Sequence, residues 1–358
     1  MSGPSRRGWM VIVAAGTLLV LLAIAMWLPV PYIKLSPGPT FNVIGEAEGK
    51  PMISISGTQT YPVNGNLDMT TVYESGGPNG KLTFVDAIAS WMNPSDAVVP
   101  RELLFPDEVS SAEVAQRNAM LFSTSQSAAI AAAMDYLGKP VHSTPVVSAV
   151  YSDTPAEGIL EAKDEVVSLD GETITDAAQV ARAVRGKPAG TTFTMVVKRG
   201  DGASATEKTL QVTSQPNPED PTIPYIGIGV SDLYAADFPI EFTLDDVGGP
   251  SAGLMFATGI VDLLTPGELA AGTHIAGTGT IEPDGTVGPI GGIRQKLAAA
   301  RNAGATFFVM PADHCAEIEG HVPDGLTVSP VHTLSESVSA IEAYTAGKPV
   351  PTCPVAVS

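Results

Sequence analysis

The chain has 358 residues, 44% hydrophobic and only 16% charged, which excludes disorder over its whole length and leaves room for two or three packed domains. Its 38 acidic and 19 basic residues give a formal net charge of -19, without the basic face that a nucleic-acid partner requires. The acidity reads as a solvated surface, and no nucleic acid is expected to bind.

Residues Trp9 to Val30 carry no charge and are mostly apolar. A stretch of that length spans a bilayer, which takes roughly 20 helical residues. Arg6 and Arg7 precede it, and cationic flanks stay in the cytoplasm. Trp9 and Trp27 stand near its two ends, where interfacial aromatic residues are expected. Residues 1–34 are therefore expected to form a cytoplasmic tip and a signal anchor, and the remaining domains to lie outside the cell membrane. Ser5-Arg6-Arg7 also fits a twin-arginine signal, and Ala23-Ile24-Ala25 a cleavage site. The apolar run continues past Ala25, longer than the roughly 7–15 residues of a removable signal, so an uncleaved anchor is expected.

Residues 35–135 mix strand and helix patterns. From 41 to 75, β-branched and polar residues alternate, with Asn64-Gly65 as a hairpin-type turn. An alanine-rich helix is expected over 107–137, ending at Gly138. Residues 136–215 form a compact β-rich unit. Its strands are expected at 146–150, 165–169, 191–198 and 208–212, with a helix from a Thr175 cap through Arg185. Pro216, Pro218, Pro221 and Pro224 mark 216–224 as a stiff linker. A second α/β unit is expected over 225–346, followed by a tail at 347–358. The fold class is α+β multidomain.

The chemistry concentrates in two glycine-rich segments. In Gly249-Pro250-Ser251-Ala252-Gly253, Ser251 opens a helix that is apolar nearly all round and so must be buried. Free backbone N–H groups and the positive helix end suit a nucleophile whose attack creates an oxyanion, although a plain helix cap would look the same. In the second segment Gly291-Gly292 starts a helix on which Ile293, Leu297 and Ala300 share one face. Lys296 flanks that face among alanines, while Arg294 and Arg301 take the opposite flank. Burial lowers an amine's pKa and makes it available as a base near neutral pH, although an isolated lysine more often snorkels from such an edge.

These segments, together with Gly277-Thr278-Gly279 and Phe307-Phe308-Val309-Met310-Pro311, closely resemble the proteolytic domain of Lon proteases in motif order and spacing. The resemblance spans about residues 225–345. It implies a serine peptidase with Ser251 as nucleophile, Lys296 as general base and Thr278 hydrogen-bonded to the lysine. It also implies oxyanion donors around Gly249, Pro250 and Ala252. Gly248 stands where Lon enzymes often carry an acidic residue, with Asp245 and Asp246 nearby. Thr154-Pro155-Ala156, the run Asp164 to Gly171 and the helix over 175–185 resemble a bacterial PDZ domain. By that analogy Leu137 and Gly138 lie near the carboxylate-binding loop, and Val180 and Val184 near the peptide groove.

The whole arrangement resembles the membrane-anchored, PDZ-containing Lon-like peptidases of bacteria, in which strands from before the PDZ unit join the catalytic domain. No G-x-x-x-x-G-K-[ST] loop occurs, so no ATPase is expected. Protein or peptide substrates are the implied partners, and Lon-type domains tend to form rings, so the resemblance admits a homo-oligomeric ring. No cofactor and no metal is expected, because the two cysteines and five histidines lack ligand spacing. Cys315 and Cys353 allow either a disulfide or two free thiols. Two other readings stand against this one. An α/β-hydrolase fits Gly249 to Gly253 as G-x-S-x-G and needs His274, His314 or His332. A PDZ adaptor with a degenerate Lon-like domain needs no chemistry at all.

Overall fold

The computed structural model describes residues 5–47, 49–77, 80–105, 111–200, 204–218, 220–244 and 248–354. Helix α1 (Arg6–Met26) starts at a Ser5 cap and has no buried residue. It is long and apolar enough to cross a membrane. Immediately after it, Pro29–Val30 pairs with Leu82–Thr83, and helix α2 (Phe84–Met92) follows the second strand of that ribbon.

The larger of the two folded units is a six-stranded sheet. Its strands are β1 (Tyr32–Asn42), β2 (Asn66–Ser75), β3 (Ala97–Pro100), β9 (His274–Gly277), β10 (Phe307–Pro311) and β11 (Thr327–Val331), in the order β11-β10-β9-β2-β1-β3. The strands β11, β10, β9 and β2 run parallel, and β1 and β3 are antiparallel to their neighbours. Phe307 to Pro311 are all buried, as a parallel strand covered on both faces requires. One face carries α3 (Ser111–Tyr136), α5 (Gly253–Leu264) and α7 (Leu334–Thr345), whose core includes Ala129, Ala133, Leu254, Phe256 and Ile341. The other face carries α6 (Ile293–Ala303), packed through Ile293, Leu297 and Ala300 on Ala276 and Phe308. Cys315 and Cys353 are joined in a disulfide, and Ser329 Oγ donates to Pro351 O, so residues 347–354 lie pinned along this unit.

The smaller unit has strands β4 (Val141–Val150), β5 (Glu165–Leu169), β6 (Thr192–Arg199), β7 (Thr206–Thr213) and β8 (Ile228–Ala236) in the order β7-β6-β5-β4-β8, with α4 (Ala177–Arg185) against it. Val166, Val180, Phe193, Met195 and Val197 form its separate core.

Four sequence expectations are corrected here. The second α/β unit does not begin at Tyr225, because β8 pairs with β4 along its whole length and belongs to the smaller sheet. Residues 216–224 are not an extended spacer. Gln215–Pro216 pairs with Pro224–Tyr225, and Asn217 N donates to Ile223 O, closing a ribbon. Asn64-Gly65 turns no hairpin, since the strand before it, Ile53–Ile55, pairs with Ile240–Phe242 instead. The cap of α4 is Asp176, whose side chain accepts from Gln179 N, one residue beyond Thr175. The alanine-rich helix is described from Ser111, and 107–110 lie outside the described residues.

The Cys315–Cys353 link closes a loop with a sequence separation of 38. Replacing both cysteines by serine should lower unfolding stability by about 2–4 kcal/mol in denaturant titrations. Peptide mapping without reductant should recover the linked pair, and two free thiols would contradict the structure.

Candidate active site

Ser251 lies in the turn that enters α5, one residue before the Ala252 cap. The turn is held from several sides. Ser125 Oγ of α3 donates to Pro250 O at 2.9 Å, and Gly249 N donates to Asn118 O at 3.3 Å. Gly253 lets the helix start approach its neighbours, because a Cβ there would stand 2.7 Å from Ile281 and 2.8 Å from Ser125 Oγ. Gly279 N donates to Ser251 O at 2.9 Å, which ties the turn to the segment that leaves β9.

Lys296 is in the second turn of α6. That helix starts from Gly292 in the left-handed region at φ 70°, a conformation glycine adopts without steric cost. The Lys296 side chain is 3% exposed and reaches the Ser251 turn. Its Nζ lies 2.7 Å from Ser251 Oγ and 2.9 Å from Thr278 Oγ1, although the serine and lysine are 45 residues apart in sequence. Thr278 is fully buried, follows β9, and donates its hydroxyl proton to Ser251 O at 3.0 Å.

The polarity of this cluster follows from counting donors. The Thr278 hydroxyl has one proton and commits it to Ser251 O, so only a lone pair remains for the lysine. A neutral Lys296 therefore gives one N–H to Thr278 and is left with its second N–H and its lone pair for the Ser251 hydroxyl. Burial favours this neutral form and pulls the amine's pKa from 10.5 down to about 7. Among the described residues no carboxylate pairs with Lys296 to reverse that shift. The positive end of α5 beside the amine acts in the same direction. A neutral amine so placed can accept the hydroxyl proton.

Sequence reasoning named Gly249, Pro250 and Ala252 as the oxyanion-side backbone, and the structure narrows that set. Pro250 has no N–H, and the Gly249 N–H is spent on Asn118 O. Among the described residues, the N–H groups of Ser251 and Ala252 have no acceptor and stand at the helix start. Asp245 and Asp246 lie outside the described residues. Sequence reasoning missed Ser125, whose place in an alanine-rich helix gave no sign of its contact with the turn. Among the described residues no histidine is hydrogen-bonded to Ser251. His274 pairs with Asp68, and His314 accepts from Ile290 N and faces Glu317, so the hydrolase alternative has no imidazole at this serine.

Val180 and Val184 are buried in the core of the smaller unit, on the side of α4 that covers the sheet. Leu137 packs on the larger unit's core, and Gly138 ends α3 at φ 61°. The strand after Gly138 is β4, paired along its length with β8 and with β5 only at Val146 opposite Glu165. The edge strand beside α4 is β8, which is paired on one side only. Tyr234 N of β8 donates to Ser127 Oγ of α3 at 2.5 Å, so α3 covers the far end of that edge.

Residues 245–342 match the Lon protease C-terminal proteolytic domain, and residues 128–212 match the PDZ domain family. A Lon protease of Azospirillum brasilense is 41% identical over 91 residues, which are 25% of this chain and 11% of that protein. A Lon protease of Brevibacillus choshinensis is 38% identical over the same length and shares. The chain thus aligns with about a ninth of the length of these relatives. The PDZ domain of an SdrC-like protein from Listeria innocua is 25% identical, covers 24% of this chain and 92% of its own, and has a TM-score of 0.21. The corresponding domain from Listeria monocytogenes is 23% identical, covers 24% of this chain and 85% of its own, also with a TM-score of 0.21. The chain carries a PDZ domain and a Lon C-terminal domain.

Burying Lys296 costs stability wherever the unfolded lysine is protonated and the folded one is not. That difference holds from about pH 7 up to 10.5, so stability should rise with pH across this window. Lys296→Met should be more stable than the parent by on the order of a few kcal/mol at neutral pH. The gap should close towards pH 10.5 in denaturant titrations. A gap that widened with pH would contradict the buried neutral amine.

Proposed function

We propose that this chain, with its Lon C-terminal domain and PDZ domain, is a membrane-anchored serine endopeptidase that works without ATP. The observation that carries the reading is the buried Lys296 amine, 2.7 Å from the Ser251 hydroxyl, with no carboxylate partner among the described residues.

In this mechanism Ser251 Oγ attacks the peptide carbonyl carbon as its proton passes to Lys296 Nζ. Thr278 is a positioning residue, holding the amine with its lone pair towards the serine. The Ser251 and Ala252 N–H groups face the developing oxyanion. Lys296 then gives its proton to the departing amine as the C–N bond breaks, leaving an ester on Ser251. A water molecule attacks that ester, its proton passing to Lys296 and then back to Ser251 Oγ as the acid product leaves.

The sequence has no phosphate-binding loop, so suitable substrates are flexible or already unfolded segments. PDZ domains take an extended peptide as an added strand, which gives the smaller unit a part in substrate capture. Helix α1 supports a single-pass anchor, with Arg6 and Arg7 on the cytoplasmic side. The Cys315–Cys353 disulfide supports an oxidising, extracytoplasmic setting for the catalytic unit.

Ser251→Ala should fold and lose about 10³-fold or more of peptide cleavage. In the parent, kcat/KM should fall about tenfold per pH unit below a pKa near 7, as the amine takes a proton and ceases to be a base. Thr278→Val should lower kcat/KM by about tenfold or more. It should also move the acid limb to lower pH, because the charged amine loses an acceptor. Undiminished cleavage by the Ser251 variant would refute the assignment. Tail binding with no turnover in the parent would favour the adaptor.

A further inference from the structure

Helix α2 is built the wrong way round for a helix packed on a soluble domain. At about 100° per residue, Phe84, Val85, Ile88, Trp91 and Met92 fall within one arc of roughly 120°. On a soluble domain that arc would face the core. Here Ser90, on the opposite side, is the buried residue at 3% exposure, while Trp91 is 84% and Met92 80% exposed. Phe84, Val85 and Ile88 are exposed as well. The inward side is polar. Asp86, Ser90 and Asn93 line a cavity of about 500 Å³ with Lys34 and Asp96, which pair at 3.0 Å. A reciprocal cap between Thr83 and Asp86 fixes the helix start.

The place of this helix says what covers its apolar side. Thr83, its cap, pairs with Pro29, and Phe84 N donates to Leu28 O at 3.1 Å. Helix α1 ends at Met26, so α2 begins within two residues of the point where the long apolar helix stops. Trp27 and Leu28 are exposed and continue the apolar surface from one helix to the other. The only charged residue in α2 is Asp86, on the polar side, so the outward arc offers no partner for charged headgroups or for an acidic or basic protein face.

We propose that α2 is a second membrane contact, lying in the interfacial layer of the leaflet from which α1 emerges, with Trp91 and Met92 among the upper acyl chains. The proposal rests on the reading that α1 spans the membrane. Two contacts do what one tether does not. The catalytic sheet hangs from them through β1 and β3, so the Ser251–Lys296 pair is held at one orientation and height above the lipid surface. That geometry suits substrates presented at the membrane over those diffusing freely.

The three tryptophans allow a direct test, since Trp9 and Trp27 belong to the anchor region and Trp91 to α2. The full chain would be reconstituted in phosphatidylcholine vesicles brominated either high on the acyl chains or near their ends. Trp9→Phe with Trp27→Phe leaves Trp91 as reporter, and Trp9→Phe with Trp91→Phe leaves Trp27. These positions are exposed, so the folded core is untouched. Trp91 emission should fall about twofold with shallow bromines and less with deep ones, as for a helix lying in the interface. Quenching of Trp27 without quenching of Trp91 would overturn the proposal and leave the anchor standing. Protection of Trp91 by cross-linked pairing with a second copy would overturn it in favour of self-association. Absence of quenching at both positions would remove the anchor and the proposal together.

Discussion

An amine held dry between two hydroxyls organises this molecule. A lysine at 3% exposure has given up its hydration, and the polar contacts that replace it are Ser251 Oγ and Thr278 Oγ1. Because Thr278 has already spent its proton on Ser251 O, its hydroxyl meets the amine as an acceptor. Desolvation then sets the charge state near neutral pH. Each of the three residues comes from a different element: the turn into α5, the segment after β9, and α6. The sheet between those helices must therefore be rigid for the cluster to exist at all.

That rigidity explains the chain's layout. Lys296 and Thr278 depend on β9 being held between β10 and β2, and β2 comes from far upstream, before the PDZ unit. The PDZ unit is in effect an insertion between two parts of one six-stranded sheet. Helix α3 joins the units on both sides of that insertion. It packs on α5, braces the Ser251 turn through Ser125, and reaches the β8 edge through Ser127.

What could be read in the sequence was local. Glycine-rich turns before an all-apolar helix and before an alanine-flanked lysine are short patterns that single out Ser251 and Lys296, while Thr278 enters only through the resemblance to Lon proteases. What could not be read depended on pairing between distant segments. The β8 pattern gives no sign that its partner is β4 rather than a strand of the following unit, so the boundary at Tyr225 was misplaced. Val180 and Val184 are placed near a groove only by the PDZ analogy, and the structure buries both in the smaller unit's core. The sequence also hides α2, whose apolar arc reads as a core face until Ser90 proves to be the buried residue. The two cysteines were silent on pairing, because spacing carries no geometry.

The most direct test of the account is the titration of the Lys296 amine itself, by nitrogen-detected NMR of chain labelled at lysine Nζ, with Lys296→Met used to assign the signal. The account requires an amine that loses its proton near pH 7. An amine that stayed charged until near 10.5 would leave the Ser251 hydroxyl without a base and contradict the account.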